Sequence, residues 1–254
     1  MYSFPLFIGH GSPMNAISSN QYTKFLSTYA QSIPLPKAII VISAHWQTKG
    51  TYITGNSNPE QIYDFWGFPD SLYKTKYKPR GSFEAAKLIS EAGIGIEIDN
   101  DRGIDHAGWA VVKHMYPNQN IPLLEMSLDI NKIEREHLEL GAKLTSFCDD
   151  NILFIGSGNV VHNLRDVTFD ENARVFEWAI EADTWVKNEL QSNSIEKLIS
   201  YKKYMPNYLH AIPTNEHYLP LLYILGMKKA NNTINTIYEE IQNSSISMRS
   251  IRIE

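Results

Sequence analysis

The chain has a single cysteine, Cys148, among 254 residues. No intramolecular disulfide can staple it, so its stability has to come from a buried core. Basic clusters are equally scarce. The formal net charge is -5, and Lys202-Lys203 and Lys228-Lys229 stand as isolated pairs. A surface that tracks phosphate gathers Lys and Arg on one face, so nucleic acid is not an expected partner. No apolar run approaches the roughly 20 residues that cross a bilayer as a helix, which excludes a membrane-spanning helix. The opening Met-Tyr-Ser-Phe-Pro lacks the basic and long apolar regions of a secretory signal. Together with the lone thiol, this gives the expectation of a reducing, cytoplasmic setting. Internal repeats, low-complexity stretches and a convincing linker are missing as well.

What is present is an ordinary globular mixture, 43% hydrophobic and 20% charged, which points away from disorder and from a coiled coil. A chain of this length can bury most of its surface around one core, so one domain spanning residues 1–254 is expected. Short continuous apolar runs read as strands buried on both faces: Phe4 to Ile8, Ala38 to Ile42, Leu123 to Leu128 and Ile152 to Ile155. Helical stripes lie between and after them. One joins Tyr22, Phe25, Leu26 and Tyr29; another joins Ala85, Leu88, Ile89 and Ala92, entered at Ser82 and left at Gly93. A third runs through Val175, Trp178, Ala179, Ala182, Trp185 and Val186. Leu219 to Leu225 reads as a short helix with Pro220 in its first turn. Ile246 to Ile253 alternates like a half-exposed strand with a one-residue slip, as a bulge or an edge would give. The fold class is α/β, a central, mostly parallel sheet flanked by helices.

Four histidines stand just past apolar runs or in polar turns, where a core histidine would be odd. They are His10 in Leu-Phe-Ile-Gly-His-Gly-Ser-Pro, His45 in Ile-Ile-Val-Ile-Ser-Ala-His-Trp, His162 in Gly-Ser-Gly-Asn-Val-Val-His-Asn and His217 in Pro-Thr-Asn-Glu-His-Tyr-Leu-Pro. In sheets with mainly parallel strands, ligands gather at the carboxyl ends, where loops converge while helices cover both faces. If these strands are parallel neighbours, His10, His45 and His162 meet on one rim and His217 joins from the loop before the last helix. Neutral imidazole is the commonest metal ligand among side chains, so the four point to one metal at those strand ends. Each has a plainer reading: Gly-His-Gly could serve only the backbone, His45 could be a hydrogen-bonded core residue, and Gly156-Ser-Gly could cradle phosphate. Glu216 offers an oxygen donor beside His217. His106, in Asp105-His-Ala-Gly-Trp109, is a fifth candidate, with Asp105 either holding another imidazole's N–H or capping a helix. His114 and His137 read as structural, the latter on a stripe with Ile133, Leu140 and Leu144.

Taken together, Gly9-His10-Gly-Ser-Pro-Met-Asn15, Ser43-Ala-His45-Trp46, Asp64-Phe-Trp-Gly-Phe-Pro69, Asp105-His106 to Trp109, Gly156-Ser-Gly-Asn-Val-Val-His162-Asn-Leu-Arg165 and Pro213-Thr-Asn-Glu-His217-Tyr-Leu-Pro-Leu-Leu-Tyr223 resemble the class III extradiol ring-cleavage dioxygenases. More narrowly they resemble the 4,5-DOPA dioxygenase extradiol branch. The resemblance implies an α/β fold and one divalent ion per chain, Zn2+ or Fe2+. It makes His10, His45 and His217 metal ligands. His162 falls where this branch has a further ligand and the wider superfamily an acid/base, and His106 matches the other histidine beside the ligands. The superfamily uses two histidines and a glutamate, so Glu216 competes with His217, which the branch favours.

The implied substrates are O2 and a small, DOPA-like catechol. A facial set of ligands leaves positions open for both catechol oxygens and for dioxygen. Imidazoles such as His162 and His106 titrate in the range needed to take and return protons. Both oxygen atoms would enter the ring to give a ring-opened semialdehyde acid. Two other readings use the same residues: a zinc-dependent hydrolase that activates water, and a metal-binding scaffold without catalysis, against which the spare pair His106 and His162 argues. One departure stands out. The branch reads Asp-His-Gly-x-Trp, and Ala107 replaces that glycine here, which would strain the turn and move His106 if a positive φ were required.

Overall fold

The structure is a computed structural model that describes residues 3–169 and 173–254. Its strands are β1 (Leu6–Gly9), β2 (Ala38–Thr48), β3 (Thr51–Thr54), β4 (Ile96–Asp99), β5 (Leu123–Asp129), β6 (Ile152–Gly158), β7 (Ile234–Tyr238), β8 (Ile241–Gln242), β9 (Ile246–Ser247) and β10 (Ser250–Ile253). Its helices are α1 (Gln21–Ser32), α2 (Asp70–Tyr73), α3 (Phe83–Ser90), α4 (His106–Met115), α5 (Glu134–Leu144), α6 (Glu177–Gln191), α7 (Ile195–Ile199), α8 (Tyr201–Tyr204), α9 (Tyr208–Ala211) and α10 (Leu219–Gly226).

Among the described residues, eight strands form one sheet in the order β4-β3-β5-β2-β6-β1-β10-β7. The central strands β5, β2, β6 and β1 are mutually parallel. They carry the apolar runs that alternate between two covered faces. Phe7, Ile40, Ile42, Leu124, Met126 and Phe154 face one core with residues of α3, α5, α6 and α10, while Leu6, Ile8, Ile39, Val41, Leu123, Leu153 and Ile155 face another with Tyr22 and Leu26 of α1 and Trp109 and Val112 of α4. Successive strand side chains point to opposite faces. A strand apolar at every position is therefore stable only between two helix layers, where each fully buried Leu, Ile or Phe contributes about 1.5–3 kcal/mol. The result is one α/β domain.

Several elements differ from the sequence expectation. Strand β2 runs on to Thr48, so His45 lies inside it, in a stretch where the register against β5 jumps from Ile42↔Met126 to Gln47↔Leu128. Five steps along one strand oppose two on the other, a bulge that re-aims side chains. The C-terminal strand is neither an edge nor half-exposed: β10 pairs with β1 on one side and β7 on the other, with its slip between Ser250 and Ile251, and only Arg252 is partly exposed. The edge role passes to β7, whose Ile-Asn-Thr-Ile-Tyr carries no clear period. Strands β3 and β4, four residues each, also lack a readable run. Ile133 stands outside α5 at its N-cap and is 62% exposed.

Helix α10 is apolar on every side and buried from Leu219 to Leu225, as a helix without a polar face must be. It presents Tyr223, whose hydroxyl meets His137 Nδ1 of α5 at 3.1 Å. His137 is fully buried, and that burial, helped by Lys132, pushes its pKa down to about 4. The folded state therefore resists protonating it. The associated stability is complete above the ordinary imidazole pKa near 6.5 and is lost as pH falls toward about 4. The shift corresponds to about 3 kcal/mol. Urea unfolding of the native chain and of His137→Leu between pH 7 and 4 should show the native chain losing about that much more stability than the variant; parallel pH profiles would refute this account of His137.

Candidate metal centre

The imidazoles gather where β1 and β6 end and β2 bulges. His10 follows β1 directly, its N–H donating to Gly158 O at 3.1 Å. The glycines beside it serve the backbone: Gly11 has φ +64, and a Cβ on Gly9 would lie 2.7 Å from the Met248 carbonyl carbon. They leave His10 free to face inward. His45 comes from the β2 bulge, its N–H donating to Ser43 Oγ. His217 ends the loop that leads into α10, and its carbonyl accepts from Asn159 N at 2.9 Å. Gly158 permits this, since a Cβ there would lie 2.1 Å from the same oxygen.

Three Nε2 atoms converge. His45 Nε2 lies 3.3 Å from His10 Nε2 and 3.2 Å from His217 Nε2. Each ring's other nitrogen is tied back to an acceptor: His10 Nδ1 to Ser157 Oγ at 3.0 Å, His45 Nδ1 to Asp64 Oδ2 at 3.0 Å, His217 Nδ1 to Glu216 Oε1 at 3.1 Å. Ser157 spends its own proton on Ala107 O, 2.7 Å away, so it accepts from His10. These acceptors favour Nδ1–H tautomers, which leaves lone pairs on all three facing Nε2 atoms. Lone pairs cannot face one another at such distances without a positive charge between them. Two nitrogens bound at about 2.0–2.1 Å to one ion at tetrahedral or octahedral angles lie about 2.9–3.4 Å apart; both spacings from His45 fall in that interval, and all three ligand atoms lie within 4.8 Å of one another. The donor set therefore fits one borderline divalent metal.

Glu216 sits behind His217 rather than in the triangle, accepting from its Nδ1 and from the Thr214 hydroxyl at 2.9 Å. His162 stacks face to face on His217, centroids 3.5 Å apart and planes 10° from parallel. Its nitrogen groups with Glu216 and His217, separately from the set formed by His10, His45 and His217. His106, the first residue of α4, lies edge-on to His45 at 4.2 Å, and its Nδ1 is 2.9 Å from Asp64 Oδ2. Asp105 caps α4 through Ala107 N and accepts from Ser43 and Arg102; it holds no imidazole. Ala107 is helical and not among the residues with positive φ, so the expected strain is absent and His106 is not displaced by it. His114 binds Asn15 O, a structural contact.

Burial pushes the pKa values of His10 and His217 well down, reinforced by their imidazole neighbours. His106 is lowered for the same reasons, and burial, then His45 and His106, push His162 down to about 3. Burial also opposes charge on His45, but its hydrogen bond to Asp64 and the nearby carboxylates raise it above the ordinary value. Asp64, despite burial, is held well below the usual carboxylate range by hydrogen bonds from His106 and His45. Asp64 opens the Asp64–Pro69 motif, but a carboxylate 19 residues from the nearest site histidine in the chain gives no local signal of its role.

The aromatic residues that could line a pocket for a ring substrate, Tyr2, Trp46, Phe65, Trp66, Phe68, Tyr208 and Tyr218, divide. Phe65 packs edge-on against His106 at 5.5 Å, Phe68 against Phe65 at 5.5 Å and Phe169 against Phe68 at 6.3 Å, and Trp66 is 86% exposed. Tyr218 is buried with its hydroxyl on Leu198 O, and Tyr208 packs on Tyr201, which is ordinary core packing. Trp46 is buried under Arg102. Tyr2 lies outside the described residues.

Known proteins resemble this chain along nearly its whole length. Residues 6–251 match the family described as the catalytic LigB subunit of aromatic ring-opening dioxygenase. The chain is 40% identical to a 4,5-DOPA dioxygenase extradiol of Escherichia coli (strain K12), covering 98% of this chain and 93% of that protein. It is 34% identical to one of Mirabilis jalapa, covering 91% and 89%. The crystal structure of an uncharacterized protein of Escherichia coli K12 superposes with a TM-score of 0.86 at 35% identity, over 99% of this chain and 100% of that one.

If the triangle holds an ion, zinc added at about one hundred times its Kd should stabilise the fold by about 2.7 kcal/mol, read as a rise in thermal midpoint. His217→Ala should abolish the rise, and Glu216→Gln should only weaken it. A rise that survives in His217→Ala and is lost in Glu216→Gln would place the carboxylate, not the imidazole, on the ion.

Proposed function

The chain belongs to the LigB family of aromatic ring-opening dioxygenases, and from that premise we propose that it cleaves a DOPA-like catechol beside its two hydroxyls, using one ion held by His10, His45 and His217. It is an extradiol aromatic ring-opening dioxygenase by family. The observation that carries the finer reading is the triangle of Nε2 atoms, each ring anchored through Nδ1. Ferrous iron supplies the redox chemistry that joins catechol and O2, which redox-inert zinc cannot do in the same way.

The chain's own groups do the rest. His162 and His106 flank the triangle on opposite partners, one stacked on His217 and the other edge-on to His45. Burial disfavours the protonated form of both rings, which leaves each with an unprotonated ring nitrogen and makes any proton it takes one that it readily gives back. His162 takes the acid/base role, accepting a catechol hydroxyl proton and returning it to the opened product. Support for this over a fourth ligand is that its nitrogen groups with Glu216 and His217 rather than with the three facing Nε2 atoms. His106, with its Nδ1 proton committed to Asp64, presents an Nε2 lone pair, which becomes a donor to oxygen-borne charge once it has taken a substrate proton. The ring contacts from Phe169 through Phe68 and Phe65 to His106 give a flat aromatic substrate an apolar approach.

After anaerobic loading with ferrous iron, oxygen uptake over a panel of catechols should be accompanied by the absorbance of a ring-opened semialdehyde. His162→Ala should lower kcat by about 10²–10⁴ with KM changed far less. No uptake with any catechol at full metal occupancy would transfer the site to hydrolysis or to a metal-binding scaffold, and ester or amide turnover without oxygen would decide for hydrolysis.

A further inference from the structure

We propose that Asp64 is a positioning residue whose one carboxylate sets the tautomer and aim of both His45 and His106, tying a ring of the metal triangle to a ring beside it. The metal half of this rests on the function proposed above. Oδ2 takes the Nδ1 protons of His45 and His106, at 3.0 and 2.9 Å, and Oδ1 takes the backbone N–H of His106 at 3.0 Å. Three donors meet one side chain, and only an ionised carboxylate offers acceptors at both of its ends. Asparagine would turn an NH2 either toward the two rings or toward the main chain of His106, leaving donor against donor in both cases.

The main chain makes this link rigid on one side. Ile104 N donates to Glu60 O at 2.7 Å, Ile62 N to Ile104 O at 2.8 Å, and Trp109 Nε1 to Ile62 O at 2.8 Å. The segment that carries Asp64 is thereby laced to the start of α4, and Phe65 packs against the His106 ring. Asp64 and His106 form one unit; His45 comes from the bulge in β2. The carboxylate is what joins the two, so His45 cannot rotate or change tautomer without disturbing the partner of His106. With its side chain 19% exposed, Asp64 leaves little room for water to replace it.

The test uses the full chain and Asp64→Asn. Imidazole ¹⁵N NMR of the metal-free protein, at alkaline pH where all rings are neutral, should show Nδ1–H on His45 and His106 in the native chain and a change to Nε2–H on at least one of them in the variant. Zinc affinity, measured by competition with a chromophoric chelator, should weaken about 10- to 100-fold in the variant. Unchanged tautomers together with unchanged affinity would overturn the proposal. So would Nε2–H on either ring of the native chain, a reading that needs no variant and holds where Asp64→Asn does not fold. A native chain that binds no zinc would sink the metal reading, while the tautomers would still decide the role of Asp64.

Discussion

His45 Nε2 stands 3.3 Å from His10 Nε2 and 3.2 Å from His217 Nε2, and the rest of the site follows from keeping the three nitrogens there. Such an arrangement is repulsive until a cation enters, so the rings have to be held from behind. Ser157, Asp64 and Glu216 do this, each accepting an Nδ1 proton. The back-side acceptors fix which nitrogen carries the proton and where the other points. Burial adds to the effect by disfavouring the protonated rings.

The sheet supplies the positions. Parallel strands end on the same side, so loops after β1 and β6 and the bulge late in β2 open onto one space. The helix layers are what allow those strands to be apolar on both faces, and α10, buried on every side, draws the loop ending at His217 down onto Gly158. Packing and chemistry are joined at that point: the same close approach that seats the helix delivers the third ring. His137 shows the contrasting use of a histidine, buried against Tyr223 far along the chain from any site residue and stable only when uncharged.

Much of this was legible in the residues. The apolar runs at Ala38 to Ile42, Leu123 to Leu128 and Ile152 to Ile155 announce two-sided burial, and the cap at Ser82 and the first-turn Pro220 announce helix starts. The order of the histidine-bearing motifs carries the family. Less legible were β3 and β7, whose four or five residues show no period, β4, whose Ile-Glu-Ile-Asp alternates over four residues only, and the bulge that places His45 inside a strand. The half-exposed reading of the last strand failed because alternation records where side chains point, not what covers them; β7 covers that edge.

The amino-acid sequence by itself determined the α/β class, the apolar strands and the set of histidines, because these depend on residue type and on local spacing. Only the tertiary structure decided that His10, His45 and His217 face one another, that Glu216 stands behind His217, that His162 stacks beside the triangle and that Asp64 serves two rings at once. Distance and direction between groups tens to hundreds of residues apart are set by strand order and loop packing, and no local pattern in the chain encodes them.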